Sequence, residues 1–299
     1  MFGSTRGRRM PLAALVAGAL LMGCGGQSLA PTPTALPTAP AATAAPEPTA
    51  ATATATQAAA TQSTAATNAP ATPKPTAAGP SCAPVPKGIV AWWTADDTAT
   101  DAIGTADGVL QGGAGYTTGM VGRSFSFTGA APEVTVANAA ALQLRHGLTI
   151  EGWVLAIKAP AAYAGLAGTW DDATGPNRTY LFWVVNGTLE LVLSTDGYDY
   201  PKVTAPKMLP IGQWTHVAAT YNGSTMRLYV NGASVAQAPM TGDLATNQQP
   251  FAIGRTSGGG VGANYWAGLI DELAVYNRAL TAKEIKGIYA AGDAGKCPA

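Results

Sequence analysis

The chain has 299 residues with 17 basic and 17 acidic side chains, giving a formal net charge of zero. Apart from arginines near its start it has no Lys/Arg cluster, which argues against a nucleic-acid partner. The averages hide a division, because every Trp, every Tyr and both His residues lie between Ser81 and Ala299.

The first segment opens with Arg6, Arg8 and Arg9 and continues as an apolar run from Pro11 to Met22. That run is about a dozen residues long, whereas a bilayer-spanning helix needs roughly 20, so residues 1–23 are expected to be a processed signal and not a span. Leu21-Met22-Gly23-Cys24 resembles the bacterial lipobox. The resemblance implies that Cys24 becomes a lipidated N-terminus, with the mature protein at the cell surface or in the periplasm and touching the membrane only through that lipid. Residues 24–80 are almost entirely Ala, Thr, Pro, Ser and Gln, with Glu47 and Lys74 the only charges. Such a tract buries too little apolar surface to offset its ordering entropy, so a disordered linker is expected. Its prolines favour an extended spacer of roughly 3 Å per residue, reaching up to ~150 Å.

Residues 81–299 suffice for one sizeable core, and all-β sandwiches often run to this length as one domain. With Cys24 assigned to lipid, Cys82 and Cys297 remain, one before the domain and one at its end. Outside the cytoplasm they are expected to pair, which would set the domain's ends side by side.

The domain reads as short apolar segments punctuated by turns. Tyr180–Val185, Asn186-Gly187 and Thr188–Ser194 predict a tight hairpin, because Asn-Gly supplies the positive φ angles of a type I′ turn. Trp214–Tyr221 and Thr225–Val230 flank Asn222-Gly223-Ser224 in the same way, and Asn231-Gly232 turns the chain again. Helical signal is confined to Thr281-Ala-Lys-Glu284, a capping-box pattern, followed by Ile285, Ile288 and Tyr289 on one face.

Ile89–Asp97, Asp107–Leu110 and Gly122–Phe127 resemble the opening strands of the laminin G-like, concanavalin A-like jelly roll of bacterial surface proteins. Leu148–Val154, Gln213–Tyr221 and Leu228–Gly232 resemble its middle strands, and Gly268–Leu280 with Thr281–Ile285 its closing motif. The likeness covers nearly all of Pro84–Gly292 in the family's order. It implies an all-β, two-sheet antiparallel jelly-roll sandwich with one short C-terminal helix. It says little about ligand, since one fold hosts many functions. Many jelly rolls of this kind hold a structural calcium between the loop after the first strand and the closing-motif aspartate. The resemblance therefore implies one Ca²⁺, with Asp101, Asp107 and Asp271 as its ligands in an oxygen-rich cage that also offers Asp96 and Asp97.

Related folds include glycoside hydrolases, which need two carboxyl groups about 5–9.5 Å apart. Here Glu133, Glu151, Glu190, Glu272 and Glu284 are scattered singly, and Asp271-Glu272 would point to opposite faces of a regular strand. His216 reads as a strand residue and His146 as a turn residue, and there is no Gly-X-Ser-X-Gly elbow, Cys-X-X-Cys pair or zinc spacing. The expectation is a binding protein and not an enzyme. The Asn186-Gly187 turn sends the far ends of its hairpin together, which sets Trp170–Arg178 beside Asp196–Tyr200. The expected ligand site is Trp170, Asp171, Asp172, Arg178, Tyr198, Asp199 and Tyr200, with the rings exposed to sugar C–H faces and the charged groups meeting hydroxyls. The alternative is that these rings cap the core. The expected partner is an extracellular glycan or another surface polymer, or else a surface protein bound through an apolar sheet face.

Overall fold

The computed structural model describes residues 81–171, 176–256 and 264–298. The signal segment 1–23, the linker 24–80, Cys24 and Asp172 lie outside the described residues. In chain order the strands begin with β1 (Ile89–Trp93), β2 (Gly108–Gln111), β3 (Gly115–Thr118), β4 (Arg123–Phe127) and β5 (Glu133–Val136). The long central strands are β6 (Leu148–Ala156), β7 (Tyr163–Trp170), β8 (Arg178–Val185), β9 (Thr188–Leu193) and β10 (Lys202–Met208). Then come β11 (Thr215–Tyr221), β12 (Thr225–Val230), β13 (Ala233–Pro239), β14 (Phe251–Ile253), β15 (Gly268–Tyr276) and the helix α1 (Ala282–Ala291).

These strands form two antiparallel sheets. One runs β13-β12-β11-β6-β15-β4-β3, with β1 also paired to β15, and the other runs β10-β9-β8-β7-β14-β5-β2. The interleaved order is what a jelly roll produces. Alternation decides the faces: on β8 and β9, Tyr180, Phe182, Val184, Leu189, Leu191 and Leu193 enter the core between the sheets. Trp93 of the first sheet stacks on Phe251 of the second, with centroids 5.3 Å apart, tying the layers together. Asn186 and Gly187 adopt φ of 48° and 83°, and Asn231 and Gly232 adopt 49° and 74°, as two-residue hairpin turns require.

Helix α1 lies on the outer face of the first sheet, where Ile285, Ile288 and Ala291 pack on Trp92, Ala218, Tyr229, Ala274 and Tyr276. Its capping box is formed in full by Thr281 and Glu284. Cys82 and Cys297 are bonded, with Cα atoms 4.8 Å apart, and backbone hydrogen bonds between Ala83 and Gly295 and between Cys297 and Ala83 complete the junction. The domain's ends do meet.

Beneath the helix the structure gathers charges that are far apart in the chain. The Lys296 ammonium lies 3.2 Å from Glu151 and 3.0 Å from Glu272, and 5.0 Å above the Trp92 ring. His216 Nε2 reaches Glu151 at 3.1 Å, the Tyr276 hydroxyl donates to it at 3.2 Å, and the Trp92 indole donates to Glu272 at 3.2 Å. A β-bulge makes this possible. The β15 register shifts between Asp271 and Ala274, and Glu272 takes φ of 57°, so regular alternation fails and Glu272 turns beneath the helix. Burial would raise the Glu151 carboxyl, but Lys296 and His216 outweigh it and hold it below the usual range. Burial prevails at Glu272, which is raised in spite of Lys296.

Two stability predictions follow from these contacts. Lys296→Met leaves two buried carboxylates without their cation and should cost about 3–5 kcal/mol in denaturant unfolding. Adding Glu151→Gln and Glu272→Gln should recover much of that loss, and no recovery would contradict the ion-cluster account. At the helix start, the Arg278 guanidinium holds Glu284 down at about 2, from an ordinary 4.5. The unfolded chain binds the extra proton between those values, so this contribution is complete above pH 4.5 and lost as pH falls toward 2. The stability gap between the parent protein and Glu284→Gln should therefore close over that acid interval.

Candidate functional site

The outer face of the second sheet carries the residues that alternation turns away from the core. The two-residue turn sets Trp183 of β8 opposite Glu190 of β9, and Leu181 opposite Val192. Glu190 in turn faces Thr204 on β10, and Val192 faces Lys202. On the other side Gly165 of β7 lies opposite Trp183, and Trp170 opposite Arg178. Trp170, Arg178, Trp183, Glu190, Val192 and Lys202 line a groove of about 490 Å³, whose rim also includes Tyr163, Tyr200 and Asn264.

Two aromatic groups stand at its ends. Tyr163 stacks on Trp183, with centroids 5.3 Å apart and planes 23° apart. At the other end the Arg178 guanidinium lies 5.6 Å from the Trp170 centroid and 5.0 Å from that of Tyr200, and donates to the Tyr198 carbonyl. Each such cation–π contact contributes about 0.5–2 kcal/mol, so the flat cation is held in place. Beside Trp183, Glu190 is 2% exposed. One of its oxygens accepts from the Trp183 indole at 3.0 Å, and the other accepts from Thr204 at 2.6 Å and lies 3.3 Å from the Lys202 ammonium.

The structure sorts the residues expected from sequence. Trp170, Arg178 and Tyr200 come together at one end of the groove. Tyr198 and Tyr200 are 59% and 61% exposed, but Trp170 is only 3% exposed, which corrects the expectation of an exposed ring. Trp170 faces outward from its sheet yet packs on Leu181 and Val192, and the Arg178 guanidinium lies over it. Asp199 serves its own loop: one carboxylate oxygen accepts from the Ser194 hydroxyl at 2.6 Å and the Thr195 amide at 3.0 Å. Asp196 does the same for the Asp199 and Tyr198 amides, and those N–H donors pull its carboxyl below the usual range. Asp171 is buried beside Trp170. Tyr163, Trp183, Glu190 and Lys202 were missed. The pairing of 183 with 190 was available, since a two-residue turn at 186–187 dictates it; Tyr163 and Lys202 depend on neighbouring strands whose register the sequence does not state.

The residues expected to hold calcium do not form one cage. Asp101 turns one oxygen to the Trp92 and Ile103 amides, at 2.9 and 3.0 Å, and the other to Ala106 at 3.1 Å. Asp107 accepts from the Asp101 amide at 2.9 Å. Asp271 accepts from Met120 and Val121 at 2.8 and 2.9 Å, its second oxygen has no hydrogen-bond partner, and burial pushes its carboxyl up to about 8. Calcium wants converging oxygens, whereas the loop wraps N–H groups around Asp101. Among the described residues, no three His, Cys, Asp or Glu side chains group so as to hold a metal. The arrangement as it stands does not fit the ion. Asp101→Ala should thus cost about 2–4 kcal/mol by orphaning buried amides, while a chelator should leave the melting temperature of the parent protein unchanged. A drop of several degrees on chelation would restore the cation.

Residues 128–286 match the family model described as the concanavalin A-like lectin/glucanases superfamily, in its laminin G form, and the chain belongs to that family. Human pappalysin-1 is 27% identical over 157 residues, which is 47% of this chain and 9% of that protein, so the chain spans a small part of that relative's length. Domain 4 of an extracellular arabinanase from Geobacillus stearothermophilus, solved with arabinotriose, superposes with a TM-score of 0.53 at 19% identity, over 66% of this chain and 96% of that one. The ligand-binding domain of botulinum neurotoxin serotype D, solved with N-acetylneuraminic acid, gives 0.53 at 13% identity, over 68% of this chain and 50% of that one. At such identities the two structures establish a shared fold.

Proposed function

We propose that this domain binds an extracellular glycan without transforming it, and that a lipid on Cys24 holds it outside the cell. The observation that carries the reading is the groove on the second sheet, with aromatic groups at both ends and polar groups, Glu190 and Lys202, along one side. Rings give sugars a surface for their C–H faces, and buried, oriented polar groups give hydroxyls partners without further ordering cost. Glu190 is the one carboxylate among the described residues lining the groove, whereas glycoside hydrolysis ordinarily requires two. Glu151 and Glu272 do approach each other through Lys296, but they are sealed beneath α1. The two structural neighbours solved with saccharides lend support by fold. Protein adhesion would call for a continuous apolar patch; here the exposed rings alternate with Arg178, Glu190 and Lys202, which favours a hydroxyl-rich ligand.

The test is a glycan array probed with the full-length protein. Tyr200→Ala should weaken binding to the glycans retained by about 1–2 kcal/mol, with the melting temperature lowered by no more than a few degrees, because that ring is 61% exposed and its contact is the Arg178 cation–π pair. A folded protein that retains no glycan would refute the reading. The tether is tested separately: Cys24→Ala should move the protein from the membrane fraction to the soluble one.

A further inference from the structure

We infer that the groove receives a linear polysaccharide lengthwise, gripping an internal stretch of the chain and not a single terminal sugar; this rests on the glycan reading above. Tyr163 and Trp183 form one platform, and Arg178 with Tyr200 forms the other. Trp183 and Arg178 sit on the same strand, five residues apart, so the backbone positions that carry the platforms are about 16 Å apart along β8. That distance is several sugar rings long. A monosaccharide can rest on one platform and leaves the other idle.

The ground between the platforms suits a passing chain. Trp170, packed on Leu181 and Val192, makes its floor with Val192, and both are nearly buried. Glu190 and Lys202 lie along the side toward β10, and the Lys202 side chain remains 54% exposed. The terminal rings are accessible, Tyr163 at 49% and Tyr200 at 61%. Both platforms are also held before any ligand arrives, one by ring stacking and the other by the clamped guanidinium. Once a chain lies on the first platform, its contact with the second is intramolecular and adds affinity at little further entropic cost.

Calorimetry with the full-length protein distinguishes the possibilities, using linear oligosaccharides of increasing length, from one sugar to about six, cut from β-1,4-glucan, β-1,4-xylan and α-1,5-arabinan. The expected result is an affinity that rises at least about tenfold with length in one series and then levels off once both platforms are spanned. Tyr163→Ala and Tyr200→Ala should each return the longest ligand to the affinity of a short one, with circular dichroism unchanged. Equal affinity for one sugar and for six, or loss of binding in only one of the two variants, would overturn lengthwise binding and leave the glycan reading standing. Absence of binding at every length, together with a blank array, would overturn both.

Discussion

Asn186 and Gly187 form a turn of only two residues, and that turn decides which half of the β8–β9 hairpin meets the core. The side-chain period of a strand is two, so a register slip of one residue would exchange the faces. With β8 held in place, Glu190 and Val192 of β9 would then move to the inside of the sandwich, and Leu189 and Leu191 to its surface. The left-handed φ of both turn residues leaves the pairing little freedom, because other residue types would be strained there. Core and groove are thus two faces of the same constraint.

The protein buries carboxylates in two ways, and the contrast separates scaffold from site. Glu151 and Glu272 are sealed with Lys296, far from water, where a missing partner would leave an uncompensated charge. Their cation stands next to Cys297, so the disulfide that joins the domain's ends also fixes the lysine that neutralises its interior. Glu190 is buried as well, but its partners are an indole, a hydroxyl and a lysine whose other side meets solvent. The first group ties strands to the C-terminus. The second presents an ordered polar edge to whatever lies in the groove.

Much of the scaffold was legible because its causes are local. Asn-Gly dipeptides dictate hairpins, Thr281 and Glu284 satisfy each other's backbone, and a leftover cysteine pair leaves few options. The family motifs supplied the order of strands. What escaped is non-local. The cluster around Lys296 draws on five strands and loops, and its formation depends on a bulge at Glu272 that no residue type announces. Trp170 faces away from the core, as a loop-end aromatic should, yet Arg178 covers it, and only the pairing of β7 with β8 reveals that cover. The calcium expectation turns on orientation: Asp101 is surrounded by N–H donors, and composition cannot show which way an amide points.

The family's name joins lectins to glucanases, and a single position on β9 bears on which of the two this groove resembles. Residues two apart on a strand share a face at about 7 Å, a separation that falls within the range an inverting hydrolase needs between its carboxyl groups. Glu190 occupies one such position and Val192 the next, on the same face and inside the same groove. A carboxylate at 192 would give the groove both halves of an acid–base pair; valine gives it floor. Glu190 itself is tied at both oxygens, by donors that would oppose its movement toward a scissile bond. Held still beside an apolar surface, a carboxylate is suited to orienting a hydroxyl and poorly suited to shuttling a proton. A fixed carboxylate beside an aliphatic neighbour is thus the local pattern on which the proposed recognition of a glycan rests.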